Sequence, residues 1–345
     1  MNDPLLGEGL ALSASGSPAA PLIVLELDEL GDASPASVHA TATRIRESMS
    51  LVVGVARRSP PASIGPVLAA TTLTLTDLPT PAPRSEVVAV GNIDAALATL
   101  RAAVARSPRA ALVCGHLLRQ SDGRDTAAAL AGEAAAYSML LTGPEFARWL
   151  AERGPTRPAL DRPSVRLRRS GNHLSIVLDH PQRRNALSTR LREELLAAVQ
   201  VAVADPSIAT VELSGNGPAF CSGGDLAEFG SATDVVAAYL VRLDRAPWRA
   251  LDRLTDRLVV RTHGSCIGAG AEIAAFAGTV TATPETYFCF PEVRMGLVPG
   301  AGGTVSVPRR IGRWRAAWLM LTEQRLDADA ALDWGLVDEV TGARR

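Results

Sequence analysis

Two short apolar runs in the second half of the chain each end in a glycine-rich turn and pass toward a helical pattern. That alternation restricts the fold more than any other feature. Ala209 to Leu213 runs into Ser214-Gly215-Asn216-Gly217-Pro218. Leu258 to Thr262 runs into His263-Gly264-Ser265-Cys266-Ile267-Gly268-Ala269-Gly270-Ala271-Glu272. Short apolar runs bounded by turn residues read as buried strands, and strands alternating with helices read as an α/β fold. His173 to Leu178 adds a strand, Thr189 to Val203 an amphipathic helix, and Asp234 to Arg257 a largely helical stretch despite Pro247. The order is β–α–β–α–β, and ligands of open α/β folds bind where strand carboxyl ends meet helix N-termini.

The first half repeats the alternation without an obvious chemical constellation. Leu22 to Leu27, Leu51 to Ala56, Leu73 to Leu75, Val87 to Val90 and Ala110 to Cys114 read as strands. Ser37 to Met49, Ile93 to Ala105, Asp125 to Leu141 and Pro144 to Arg153 read as helices. Residues 1–20 are rich in Gly, Ser, Ala and Pro and are expected to be flexible. A Pro-rich stretch over 154–164 marks the boundary. The expected division is a smaller N-terminal α/β domain over 21–153, a linker, and a second domain over 165–345.

Composition narrows the function classes. The 345 residues carry a formal net charge of −1, and every basic side chain is Arg. Neither half is a basic body, so nucleic acid is not an expected partner. An anionic ligand must be met by Arg, backbone N–H groups or helix N-termini. Four cysteines without a CxxC pair support neither a disulfide framework nor a metal site. No signal-peptide pattern opens the chain and no long uncharged apolar window is present, so no membrane association and a cytoplasmic location are expected.

Three segments carry candidate chemistry. Phe220-Cys221-Ser222-Gly223-Gly224-Asp225-Leu226 and the loop ending at Glu272 both follow a strand. Free N–H groups from two such loops can hold one developing oxyanion. A tight turn accounts for each glycine cluster taken alone more often than an oxyanion site does. The third segment, Phe290 to Thr304, sets Glu292 among apolar residues ahead of Pro299-Gly300-Ala301-Gly302-Gly303-Thr304. Glu272 also sits among Ala and Ile. An acid in such company is either ion-paired or raised in pKa, and a raised pKa suits proton transfer near neutrality.

In this order the segments resemble the enoyl-CoA hydratase/isomerase, or crotonase, superfamily from about Val165 to Val340. Asp179-His180-Pro181-Gln182-Arg183-Arg184-Asn185-Ala186-Leu187 resembles its CoA-contacting loop. Phe220 to Leu226 and Gly268 to Glu272 resemble its two oxyanion loops, and Pro291-Glu292 with Pro299 to Thr304 its catalytic-acid segment. Trp334-Gly335-Leu336-Val337-Asp338-Glu339-Val340 resembles a late motif.

The resemblance implies a crotonase-like domain, a spiral of ββα repeats, that takes an acyl-CoA. Its thioester carbonyl would face the backbone N–H groups of Gly224 and Ala269. Glu272 and Glu292 would hold a water, the first activating it and the second protonating the α-carbon. Arg183, Arg184, Ala186 and Ser222 would meet the CoA. No cofactor beyond the CoA moiety and no metal is implied. A homo-oligomer, trimer or hexamer, is expected by the same resemblance.

The implied activity is hydration of a 2-enoyl-CoA. Isomerisation, thioester hydrolysis, oxygenation of an aryl-acetyl-CoA and a non-catalytic acyl-CoA-binding partner subunit are the alternatives. The sequence departs from the family pattern at Ala269, where hydratases usually have Gly, and around Ala277-Gly278, where Cys-Asp is usual. It also stops at Arg345, where relatives are expected to continue through C-terminal helices. One expectation is that residues 1–164 replace those helices in covering the site or in assembly; a degenerate crotonase-like half is another. Asp225 is expected to cap a following helix.

Overall fold

The computed structural model describes residues 9–78, 85–156 and 164–342. The first portion runs β1 (Leu22–Glu26), α1 (Pro35–Glu47), β2 (Leu51–Val55), α2 (Gly65–Ala70), β3 (Leu73–Thr76) and β4 (Val87–Ala89). It continues through α3 (Ile93–Arg106), α4 (Pro108–Ser121), α5 (Thr126–Leu140) and α6 (Pro144–Arg153). The four strands form a parallel sheet in sequence order. Pro sits in the first turn of α1, α4 and α6, where its missing N–H costs no intrahelical bond. Asn92 and Asp125 cap α3 and α5 by accepting from Ala95 N–H and Ala128 N–H.

One local expectation is wrong. Ala110 to Cys114 is not a strand but part of α4. Ala110, Ala111, Cys114, Leu117 and Leu118 are all buried, and that spacing is one helical face. A five-residue apolar window cannot separate the two states. Residues 9–20 make contacts of their own: Leu12 bridges Pro18, and the Arg109 side chain donates to the Ser15 and Gly16 carbonyls.

The second portion opens with a hairpin, β5 (Val165–Ser170) and β6 (His173–Leu178), whose Arg-rich first strand the sequence reading did not find. Next come α7 (Thr189–Ala204), β7 (Thr210–Gly215), α8 (Val235–Asp244), α9 (Trp248–Asp252) and β8 (Leu258–Thr262). β9 (Ser265–Ile267), α10 (Ala269–Ala274), β10 (Thr279–Ala282) and β11 (Tyr287–Cys289) follow. The chain then forms α11 (Gly303–Ile311), α12 (Arg313–Thr322), β12 (Leu326–Asp327), α13 (Ala328–Trp334) and β13 (Glu339–Val340). Six strands form a sheet in the order β13-β10-β8-β7-β6-β5, parallel except at β5–β6. β12-β11-β9 form a second, smaller sheet. The helical stretch expected over 234–257 breaks at Pro247 into α8 and α9.

The two portions share one apolar core, which extends from Leu51 and Leu73 through α3, α4 and α5 to α11, α12 and Val337. Polar contacts reinforce it. Arg313 donates to the carbonyls of Ala69 and Thr71, and Ser121 Oγ donates to the Thr304 carbonyl at 2.8 Å. The linker expected over 154–164 lies largely outside the described residues. Among the described residues no helix is long and apolar enough to cross a membrane.

Candidate active site

The first glycine loop is held beside the second by short backbone pairing. Cys221 and Cys266 form a parallel bridge, Ile267 N–H donates to the Cys221 carbonyl at 3.0 Å, and a Cβ on Gly270 would meet that same carbonyl at 2.5 Å. Gly268, at φ +48°, turns the chain into α10. A non-glycine residue is strained there. Among the described residues neither Gly224 N–H nor Ala269 N–H donates to a protein acceptor. Both residues line one cavity of about 500 Å³ together with Glu272 and Glu292. The extra methyl of Ala269 leaves its N–H in place at the start of α10.

Glu272 and Glu292 are both buried. Neither is ion-paired to Arg among the described residues, so of the two alternatives for an acid among apolar residues the ion pair is not the one formed. Glu272 Oε2 instead accepts from Ala301 N–H at 2.7 Å and Gly303 N–H at 2.8 Å. Burial pushes its pKa well up, and the nearby Glu292 and Glu133 charges add to the shift. Burial likewise pushes Glu292 up, to about 8. Its Oε2 finds no hydrogen-bond partner among the described residues.

A third acid joins them that the sequence reading passed over. Glu133, on α5, is buried, accepts from Gly302 N–H at 2.7 Å and Thr304 N–H at 2.8 Å, and takes the Thr304 hydroxyl at 2.7 Å. Glu272 therefore holds residues 301 and 303 while Glu133 holds 302 and 304. Burial raises Glu133 as well, its bonds to Thr304 and Gly302 pulling the other way. Three buried carboxyls this close cannot all ionise without large cost, so the site retains protons near neutrality. A lone acid in an Ala-rich helix was the available signal.

The same N-terminal helices cover the cavity. Tyr137 and Leu141 line it, and the Tyr137 ring lies where a Cβ on Gly300 would be. From α6, Phe146 and Trp149 pack on Phe229, with ring centroids 6.4 Å and 5.7 Å away. Phe229 in turn lies over Gly224, where an added Cβ would come within 2.7 Å of the ring.

A second cavity of about 530 Å³ contains Arg183, Arg184, Ala186 and Ser222, so all four residues expected to meet the CoA lie together. Gly224 and Asp225 border both cavities. Ser222 N–H donates to the Arg184 carbonyl, tying this loop to the first glycine loop. Arg183 is paired with Asp225 at 2.6 Å. Asp225 does not cap a helix as expected, because residues 226–234 form turns and loop; it accepts from Ala227 N–H and Arg183.

An α/β frame that sets two undonated backbone N–H groups against buried carboxyls defines a protein with an acid-lined cavity at its strand and loop ends. Sequence comparison supplies the particular kind: the chain belongs to the enoyl-CoA hydratase/isomerase family, whose profile matches residues 168–344. It is 34% identical over 174 residues to the enoyl-CoA isomerase/hydratase fer4 of Mycosarcoma maydis, covering 48% of this chain and 64% of that protein. It is 33% identical over 167 residues to the 2,3-dehydroadipyl-CoA hydratase of Escherichia coli K12, covering 48% and 65%. The chain thus spans a little under two thirds of these relatives. A solved enoyl-CoA hydratase of Mycobacterium smegmatis is 28% identical, covering 52% of this chain and 71% of that one, with a TM-score of 0.48.

Proposed function

We propose that this chain is an acyl-CoA enzyme that hydrates a 2-enoyl-CoA to a 3-hydroxyacyl-CoA. The observation that carries the reading is the meeting of Gly224 N–H, Ala269 N–H, Glu272 and Glu292 in one cavity. The thioester oxygen accepts from both N–H groups, which strengthen as negative charge builds on it. Glu272, ionised, takes a proton from water as the water oxygen bonds to C3. The C2–C3 π electrons pass through C2 to the thioester oxygen, giving an enolate. Glu292, protonated, then delivers its proton to C2. Each carboxyl changes protonation once, and transfer through a water or solvent resets them. A raised pKa keeps Glu292 protonated near neutrality, as this role requires; Glu272 is raised as well, and the N–H groups of Ala301 and Gly303 are what favour its ionised form.

The CoA lies in the second cavity, and the thioester sits at the Gly224–Asp225 border between the two. Arg183 holds the first loop through Asp225, while exposed Arg184 meets a phosphate. The protein works as a homo-oligomer in the cytoplasm.

One observation favours a second reading. Glu272 Oε2 already accepts two backbone N–H bonds, whereas Glu292 Oε2 accepts none among the described residues. One mobile acid suffices to shuttle a proton between the α and γ carbons, which is double-bond isomerisation.

The test is loss of the conjugated-thioester absorbance of 2-enoyl-CoAs of several chain lengths, with 3-enoyl-CoAs run for the reverse signal. Hydration predicts turnover of the 2-enoyl series, lowered by about 10²–10⁴-fold in Glu272→Gln and in Glu292→Gln. Absorbance gain from 3-enoyl-CoAs alone, surviving in Glu272→Gln, would replace hydration by isomerisation.

A further inference from the structure

One wall of the acid-lined cavity carries charge that neither the thioester nor the proton transfer uses. The lining face of α8 contains Ala237, Ala238 and Val241, then Arg242 and, beyond the helix, Arg245. Arg192, from α7, joins them. Arg192 and Arg245 share one acid, Glu193, at 3.3 Å and 3.7 Å. Arg242 has no carboxylate within ion-pair distance among the described residues; its guanidinium carbon lies 3.7 Å over the Tyr137 ring. Its Nε is buried and has no hydrogen-bond partner among the described residues.

None of the other acids around the cavity lies within ion-pair distance of Arg242 among the described residues. Glu228 accepts from Thr189 N–H and Oγ1, and Asp234 accepts from the first N–H groups of α8. Glu133 feels the charge of Arg242 but spends both oxygens on residues 302 and 304. Arg192 and Arg245 thus have Glu193 within reach, and Arg192 also feels the charge of Glu228, while Arg242 stands beside an apolar wall without a carboxylate of its own among the described residues.

We propose that the cavity accepts an acyl chain whose far end carries a carboxylate, with Arg242 as its partner and Arg192 and Arg245 adding positive charge to the same wall. Methylenes of the chain lie along Ala237, Ala238 and Val241. The carboxylate gives the Arg242 Nε an acceptor, and a guanidinium holds a carboxylate by two parallel hydrogen bonds. Stacking on Tyr137 fixes the plane of the fork before the ligand arrives. A methyl-ended chain would leave the guanidinium desolvated and unpaired, so the site selects against it. The inference rests on the acyl-CoA reading of the site.

The test separates the two by using binding rather than turnover. Saturated ω-carboxyacyl-CoA thioesters of four to eight carbons are titrated calorimetrically, each against its methyl-ended counterpart. At the matching length the carboxyl-ended thioester is expected to bind about tenfold or more tightly, as one charge-assisted pair allows. Arg242→Gln should bring that ratio close to one, while Arg242→Lys restores part of it. Equal or tighter binding of the methyl-ended chain at every length, or a ratio unmoved in Arg242→Gln, overturns the proposal and leaves the acyl-CoA reading standing. A protein that binds neither series overturns both.

Discussion

Glu292 holds its proton to a higher pH folded than unfolded, because burial disfavours its charged form and the nearby charges of Glu133 and Glu323 add to the effect. A carboxyl raised in this way contributes stability that is fully present below its unfolded value and is lost as pH rises through its folded one. The window runs from about 4.3, the ordinary glutamate value, to about 8. Thermal stability of the wild type is therefore expected to fall between pH 5 and pH 8. Glu292→Gln, neutral at every pH, should flatten that fall, each proton contributing at most about 1.4 kcal/mol per pH unit. Melting curves at half-unit steps would check it, and parallel slopes for both proteins would count against the raised pKa. Glu272, Glu292, Gly224 and Ala269 were legible in the sequence because each lies in a contiguous motif. Glu133 and Arg242 were not. Each belongs to an otherwise ordinary helix, and its importance arises from contact with a loop or cavity distant along the chain.

Among the elements, the turn into α10 and the 300–304 loop set the acids. A Cβ on Gly268 would overlap Glu292 Oε1, and the residue's φ of +48° adds backbone strain. Gly268→Ala is expected to cost about 1–3 kcal/mol of stability and, on the proposed function, to lower kcat more than CoA affinity, since it displaces the acid and not the cavity around Arg184 and Ser222. Kinetics beside calorimetry would show the split; a drop in affinity alone would argue that Glu292 had not moved. The 300–304 loop is clasped from two sides through alternate N–H groups, so Glu133→Ala leaves two buried N–H donors unmet at about 1–3 kcal/mol each, and the Thr304 hydroxyl loses its acceptor as well. Its melting temperature should fall, with loss of turnover in the protein that stays folded; an unchanged protein would show that the clasp is redundant. Strands and long helices could be read from the sequence by their apolar spacing and caps. Errors fell where that signal was short or mixed: Ala110 to Cys114 is one turn and a half of α4, and the Arg-rich β5 keeps its charged side chains toward solvent.

At the scale of the whole molecule, the two sequence portions behave as one folded body. Residues 1–164 are expected to replace C-terminal helices in covering the site or in assembly; α5 and α6 bring Glu133, Tyr137 and the Phe146–Trp149 pair to the acid loop and to Phe229. Sequence could not supply this, because a docking face and an ordinary core face share the same apolar spacing. Leu130, Phe146 and Val305 lie in the same buried cluster as Leu174 and Phe276. Removing 1–156 would expose the faces of α11 and α12 that pack on α3, α4 and α5, an apolar surface of the kind that aggregates. The second portion made alone is thus expected to be insoluble or partly unfolded. Produced together as separate chains, residues 1–156 and 164–345 should copurify, since burial and the carboxylate clasp hold them without a covalent link. Copurification with turnover near that of the intact chain is the expected result. A soluble, fully active 164–345 fragment would instead make the N-terminal helices dispensable and remove Glu133 and Tyr137 from any part in the site.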